Sequence, residues 1–241
     1  MTDINNITVG VVALQGAFIE HCEILDKLNV KNKQIRTIED FENVDALILP
    51  GGESTAMAKV SSLGGNSIFQ EISKFVKSNK PVWGTCAGLI LLADKVDGQK
   101  KGGQSLVGGL DIIASRNFFG AQVKSFEAPL EPPPLSGNDN HVTKKRKLNN
   151  EEKVVEEEDG VGSNGTFNGV FIRAPAILST GKNVEVLNTV DIVKEDDTHD
   201  KVIVAVKQNN LLATAFHPEL TDDSRWHQYF VEDIVKKVIK K

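Results

Sequence analysis

The sequence predicts an α/β fold: an open, mostly parallel sheet flanked by helices on both faces. Two observations carry this expectation. Apolar, β-branched runs recur along the chain and are apolar at consecutive rather than alternate positions, which suits strands covered on both faces. Between them lie segments whose apolar residues fall at helical spacing, so strand and helix alternate through the first hundred residues.

In order, Ile7–Leu14 (ITVGVVAL) reads as the first strand, and Phe18, Cys22, Leu25 and Leu28 form the stripe of a helix after it. Ala46–Leu49 (ALIL) is a second strand. Ile68, Ile72, Phe75 and Val76 mark a second helix, and Val82-Trp83 a strand that turns into a helix over Ala87–Asp94. Leu110–Ala114 (LDIIA), Val202–Val206 (VIVAV) and Leu211–Phe216 (LLATAF) are further strands. Asp222–Lys241 reads as an amphipathic helix with Trp226, Phe230, Ile234 and Val238 on one stripe. Its last turn is lysine-rich, as the helix dipole favours.

Between Glu131 and Gly165 this pattern stops. The stretch holds PPP, GNDN, the basic run Lys144-Lys145-Arg146-Lys147 and the acidic run Glu156-Glu157-Glu158-Asp159, with almost no aliphatic residues. It cannot repay its ordering entropy and reads as a flexible insertion at about 131–165 in a single domain spanning 1–241. The KKRK tetrad fits either a nuclear-import signal or a solvated loop, and the solvated loop is the commoner case.

Composition bounds the partners. With 241 residues the chain buries a substantial core, and a net charge of -5 with 40% hydrophobic and 25% charged residues gives no overall pull toward nucleic acid or an anionic membrane. Two cysteines, Cys22 and Cys86, make no disulfide framework and no CxxC zinc site, so reduced thiols and a cytoplasmic protein are expected. The N-terminal stretch lacks a basic segment followed by a long apolar one, and no run of about 18 apolar residues occurs, so neither secretion nor a membrane span is expected.

Three short motifs carry chemistry. In GTCAG (Gly84 to Gly88) a cysteine stands between two glycines where a strand becomes a helix. A nucleophile elbow needs small neighbours for its strained backbone and for substrate approach, and the helix start aims its positive end at the sulfur, favouring thiolate. Such a nucleophile needs a base and a group to orient it. The apolar run ending in FHPE supplies His217 and Glu219, the carboxylate accepting the second ring N–H and fixing the tautomer. LPGGEST (Leu49 to Thr55), also directly after a strand, offers backbone N–H groups for a developing oxyanion, and its length fits neither a Walker loop nor GxGxxG. The bland alternatives are a buried structural cysteine and a histidine at a strand end. The other histidines, His21, His141, His199 and His227, read as having such ordinary roles.

Taken together, LQGAFIEH (Leu14 to His21), LPGGEST, GTCAGLILL (Gly84 to Leu92), SRNFFGAQVKSFE (Ser115 to Glu127), FIRAP (Phe171 to Pro175) and ATAFHPEL (Ala213 to Leu220) resemble the PdxT/SNO family. These are glutaminase subunits of pyridoxal 5′-phosphate synthase, within the class I, triad-type glutamine amidotransferases, whose fold is flavodoxin-like. The resemblance spans nearly the whole chain outside the insertion. It implies hydrolysis of L-glutamine to L-glutamate and ammonia through Cys86, His217 and Glu219, with no metal or organic cofactor. It implies an L-glutamine site at Gly52, Glu53, Ser54, Arg116, Ile172 and Arg173, and an oxyanion site at Gly51, Gly52 and Ala87. Arg116 offers a planar fork for the α-carboxylate, and Glu53 suits the α-ammonium. Gln15 matches a family position near the oxyanion turn and the partner surface. The implied partner is a (β/α)8 pyridoxal 5′-phosphate synthase subunit that receives the ammonia for vitamin B6 biosynthesis.

Two departures stand out: Ala121 replaces an arginine usual in the family's RNxFGRQ, and the insertion follows Pro129. Alternative readings keep the triad but change the acceptor, as in a glutaminase or cysteine amidohydrolase serving another synthase, or treat the chain as a non-catalytic amidotransferase-like scaffold.

Overall fold

The structure, a computed structural model, describes residues 7–52, 68–98, 105–116, 118–119, 125–136, 165–193 and 199–239. Its main sheet is mixed. Five neighbouring strands are parallel: β1 (Thr8–Val12), β2 (Lys31–Ile35), β3 (Ala46–Leu49), β4 (Val82–Thr85) and β12 (Leu211–Thr214), in the spatial order β2-β1-β3-β4-β12. Beyond them the sheet continues through β11 (His199–Gln208), β9 (Ala176–Thr180), β6 (Leu110–Ser115) and β5 (Ala93–Val96). Pairing there is antiparallel except between β5 and β6. β10 (Glu185–Val193) forms a long antiparallel ladder on β11, and β7 (Ser125–Leu130) pairs β8 (Phe167–Ile172) in a separate two-stranded sheet.

Burial explains which strands their composition announces. Every residue of β3, β4 and β12 is buried, as consecutive apolar residues require when both faces are covered. β6 alternates buried and exposed positions, and β2, a polar KNKQI segment at the sheet edge, buries only Ile35 completely. Helices α1 (Phe18–Lys27) and α2 (Ile68–Lys77) lie where the apolar stripes place them, with Cys22, Leu25, Ile68, Ile72 and Phe75 buried. Burial pushes the Cys22 thiol up to about 11, with Asp26 and Glu23 adding to the effect, so this second cysteine stays protonated and inert.

Two helices differ from expectation. α3 stops at Leu92, spanning Ala87–Leu92, because Ala93 turns extended to begin β5. The C-terminal helix is not uniform: α4 (Arg225–Tyr229) widens into a π-helical segment, Phe230–Val235, and narrows again into α5 (Lys236–Ile239). Trp226, Phe230 and Ile234 are buried as the stripe requires.

Of the expected insertion, Glu131 to Ser136 is laid against the body. The Asn188 side chain donates to the Glu131 carbonyl, and the Ser136 amide donates to Asp233 of the C-terminal helix. At the far side Arg225 grips Asp223 and donates to the carbonyls of Gly165 and Thr166, fixing the chain as it enters β8. Residues 137–164, including Lys144–Lys147, lie outside the described residues. Among the described residues no helix is long and apolar enough to cross a membrane.

Candidate active site

The four strands β1, β3, β4 and β12 are parallel neighbours, so their carboxyl ends share one edge, where open α/β sheets bind ligands. The chain leaves β1 through Leu14-Gln15-Gly16, β3 through Pro50-Gly51-Gly52, β4 through Cys86 and β12 through Phe216-His217-Pro218-Glu219. Leu49 lies beside Gly84, and Thr214 beside Thr85. Residues 129 positions apart thereby meet.

Cys86 takes φ 47 and ψ -101, a conformation a non-glycine residue adopts only at a cost of about 1–3 kcal/mol. Its amide donates to the Thr214 carbonyl at 2.8 Å, which pins the elbow to β12. The flanking glycines are demanded by close approach. A Cβ on Gly84 would lie 2.4 Å from the Gly88 carbonyl group, and one on Gly88 would lie 2.0 Å from the Leu49 carbonyl oxygen. The thiol is at a rim: Cys86 is 7% exposed, and its sulfur lies 3.9 Å from the Ile172 carbonyl oxygen.

His217 and Cys86 meet above Gly51. The Cβ position that Gly51 lacks lies 2.3 Å from His217 Cε1 and 3.2 Å from Cys86 Cβ. Nδ1 of His217 lies 2.8 Å from Glu219 Oε1, and the His217 amide donates to the Val170 carbonyl of β8 at 2.8 Å. Burial alone would lower the basicity of His217. Hydrogen bonds and charge attraction from Cys86 and Glu219 outweigh it and push the ring up to about 10.

Of the expected oxyanion donors, one has a partner inside the protein. The Gly51 amide already donates to Thr85 Oγ1 at 3.0 Å, so it is not available to an oxyanion. That leaves Gly52, exposed at the turn, and Ala87, which opens α3 and so carries one of the N–H groups without an intrahelical partner. The Gly51-Gly52 turn is stacked on the turn after β1. Gly16 has φ +92, and a Cβ there would lie 1.5 Å from the Gly51 carbonyl oxygen, which puts Gln15 beside the oxyanion turn.

Ile172 ends β8 and is 39% exposed, and Arg173 follows it, exposed and with φ 46. Arg116 directly follows β6 and is half-buried. Because Ser115 pairs with Ala176, the chain at Arg116 runs beside the segment after Arg173 that enters β9. Glu53, Ser54 and Ala121 lie outside the described residues.

Two histidines given ordinary roles by sequence reasoning lie against this site. His21 and His227 are both fully buried, with His21 Nε2 3.3 Å from Glu219 Oε2 and His21 Nδ1 2.8 Å from His227 Nε2. One signal pointed to His21: it closes LQGAFIEH, one of the motifs at the shared strand edge. His227 had none. His199 is exposed at the start of β11, and His141 lies outside the described residues.

An open α/β sheet whose strand edge presents a cysteine elbow against a buried His–Glu pair has the fold and site of a triad-type glutamine amidotransferase. The SNO glutamine amidotransferase family matches residues 11–236, and the chain belongs to that family. A probable pyridoxal 5′-phosphate synthase subunit of Arabidopsis thaliana is 48% identical over 94% of this chain and 85% of that protein. One from Dictyostelium discoideum is 42% identical over 95% and 92%, and one from Herpetosiphon aurantiacus 41% over 93% and 99%. A crystal structure titled as a glutamine amidotransferase matches with TM-score 0.70 and 38% identity, covering 95% of this chain and 98% of that one.

Proposed function

We propose that this chain is the glutaminase subunit of a pyridoxal 5′-phosphate synthase. In this reading it hydrolyses L-glutamine to L-glutamate and ammonia and hands the ammonia to a (β/α)8 synthase subunit for vitamin B6 biosynthesis. The observation that carries the chemistry is Cys86, strained at φ 47, facing an imidazole whose other nitrogen is held 2.8 Å from Glu219. Kinship with synthase subunits from a plant, an amoeba and a bacterium supports the acceptor.

The Cys86 sulfur, its proton held on His217, attacks the side-chain amide carbon of glutamine, and the amide nitrogen departs as ammonia with that proton. Backbone N–H groups of Gly52 and Ala87 hold the tetrahedral oxygen. A γ-glutamyl thioester remains. Its formation removes the sulfur charge and hydrogen bond that pull His217 upward, so the same ring gives up a proton more readily once the sulfur is acylated. His217 then takes a proton from water, which cleaves the thioester to glutamate and frees the sulfur beside the protonated ring. Arg116 and Arg173 receive the substrate's α-carboxylate, Ile172 lines the approach to the sulfur, and Glu53 and Ser54 complete the amino-acid site.

The test is glutamine turnover with and without a synthase subunit, together with labelling by a diazo-ketone analogue of glutamine. The expected result is weak hydrolysis alone, strong hydrolysis with the partner, and labelling that Cys86→Ser abolishes. Full activity in isolation refutes the dependence on a partner, and no turnover or labelling in its presence refutes the glutaminase.

A further inference from the structure

We propose that His21 is a positioning residue for the Cys86–His217–Glu219 system, holding its Nε2–H against the second carboxylate oxygen of Glu219 and the Thr85 hydroxyl while His227 fixes the tautomer that keeps the proton there. The inference deepens the glutaminase reading and rests on it for its kinetic arm.

Glu219 is buried, and its two oxygens look in opposite directions. Oε1 meets His217 Nδ1 at 2.8 Å, while Oε2 lies 3.3 Å from His21 Nε2, which reaches it from α1. Among the described residues Oε2 has no hydrogen-bond partner, which is costly in such a place, and the His21 ring edge at 3.3 Å is what the fold sets against its charge. His21 Nε2 also lies 3.4 Å from Thr85 Oγ1, the hydroxyl that accepts the Gly51 amide, so one imidazole touches both the relay and the brace of the glycine turn.

The hydrogen positions follow from elimination. If His21 carried its proton on Nδ1, its bare Nε2 lone pair would face a carboxylate oxygen 3.3 Å away, which is repulsive. With the proton on Nε2, Nδ1 must accept, and the atom 2.8 Å from it is His227 Nε2, which therefore donates. That leaves His227 Nδ1, buried without a partner, as a bare acceptor rather than an orphaned N–H, the less costly of the two. Both rings are neutral in this arrangement, and burial, first among the causes for each, holds both below the ordinary histidine value. Donation runs from His227 to His21, whose Nε2–H then lies against Thr85 Oγ1 and the carboxylate that His217 meets from the other side. Glu219 thus has an imidazole on each side, hydrogen-bonded to one and in charge contact with the other, and the ring that faces Cys86 inherits that orientation, as outer partners of ligating histidines do elsewhere.

Two measurements test this on the full chain. Nitrogen-15 spectra of histidine-labelled protein at neutral pH read tautomers directly and need no substrate. They are expected to show His21 and His227 neutral and protonated on Nε2, and a charged or Nδ1-protonated His21 overturns the proposal. Kinetics with the synthase partner present give the second arm. His21→Leu is expected to lower kcat by about 10- to 100-fold with KM changed less than about threefold, and His21→Gln, whose amide places a donor near the Nε2 position, to recover at least a third of wild-type kcat. A merely structural His21 would lower melting temperature in both variants without the split between kcat and KM or the rescue, and that result overturns the proposal. Should wild-type protein with its partner fail to release glutamate, the glutaminase reading falls while the tautomers still decide the hydrogen-bond chain.

Discussion

Replacing Gly51 with alanine puts a methyl group into the gap between Cys86 and His217. The added carbon would lie 2.3 Å from His217 Cε1, 2.9 Å from its Nδ1 and 3.2 Å from Cys86 Cβ, where ordinary contact starts near 3.4 Å. The imidazole must therefore withdraw by about 1 Å, and misplacement of that size costs about 10²-fold in rate, or about 2.7 kcal/mol in the barrier. It cannot withdraw freely. Its Nδ1 is tied to Glu219 at 2.8 Å and its backbone amide to Val170. Overpacking of this kind also costs about 1–3 kcal/mol of stability, which leaves the fold intact. The assay is glutamate release at saturating synthase partner, with far-UV circular dichroism and a thermal melt beside it. Gly51→Ala is expected to lose about 100-fold in kcat/KM while keeping its spectrum. Gly98→Ala is the control: nothing lies within 4 Å of the added carbon, and the cost at φ +64 is conformational only, so activity should stay at wild type. Activity of Gly51→Ala within threefold of wild type would refute the placement of the ring.

The remaining predictions concern acid and the elbow. His227 is neutral and buried in the folded protein, held at about 3 against 6.5 in the unfolded chain, and His21 is lowered in the same direction. A depressed pKa contributes stability that is complete above about pH 6.5 and lost as pH falls toward 3, up to about 4–5 kcal/mol from His227 alone. Urea midpoints between pH 7 and 4 should fall steadily, and a flat profile would show that the rings are not neutral in the fold. His217 has the opposite sign: raised to about 10, its contribution is complete below about pH 6.5 and lost as pH climbs through 10. Gly88→Ala meets backbone rather than a side chain, the Leu49 carbonyl oxygen at 2.0 Å, so a loss of about 3 kcal/mol or more in the urea midpoint is expected. A change under 1 kcal/mol would mean that β3 and α3 do not approach this closely.

What the sequence made legible follows from how each part is buried. The parallel strands β1, β3, β4 and β12 are covered on both faces, and consecutive apolar residues announce that directly. β2 escaped notice because KNKQI sits at the edge, where only its last residue needs to be apolar, and β10 because EVLNTVDIV mixes polar and apolar residues along an outer ladder. The π-helical turn at Phe230–Val235 was hidden since a stripe at every fourth residue serves a π turn as well as an α turn. At the site, Cys86, His217 and Glu219 stand in short motifs with glycine or proline neighbours, which is why sequence could nominate them. The commitment of the Gly51 amide to Thr85 depends on which way a hydroxyl points, and no spacing encodes that.

His227 shows why the support of a site is harder to read than the site. It stands in a helix whose apolar stripe accounts for its neighbours Trp226 and Phe230 as core, and its ring packs 4.9 Å from that of Trp83 on β4. By itself this is a buried aromatic contact and predicts nothing chemical. Only when α1 delivers His21 from the other end of the chain does the second face of the ring acquire a function, because His21 Nδ1 then needs a donor. A C-terminal helix, an N-terminal helix and the loop after β12 thus depend on one another through three side chains, none of which is at the solvent edge. Stability and reactivity are coupled at that point. A substitution in the C-terminal helix that rotates His227 away from His21 should slow the chemistry at Cys86 before it unfolds the sheet.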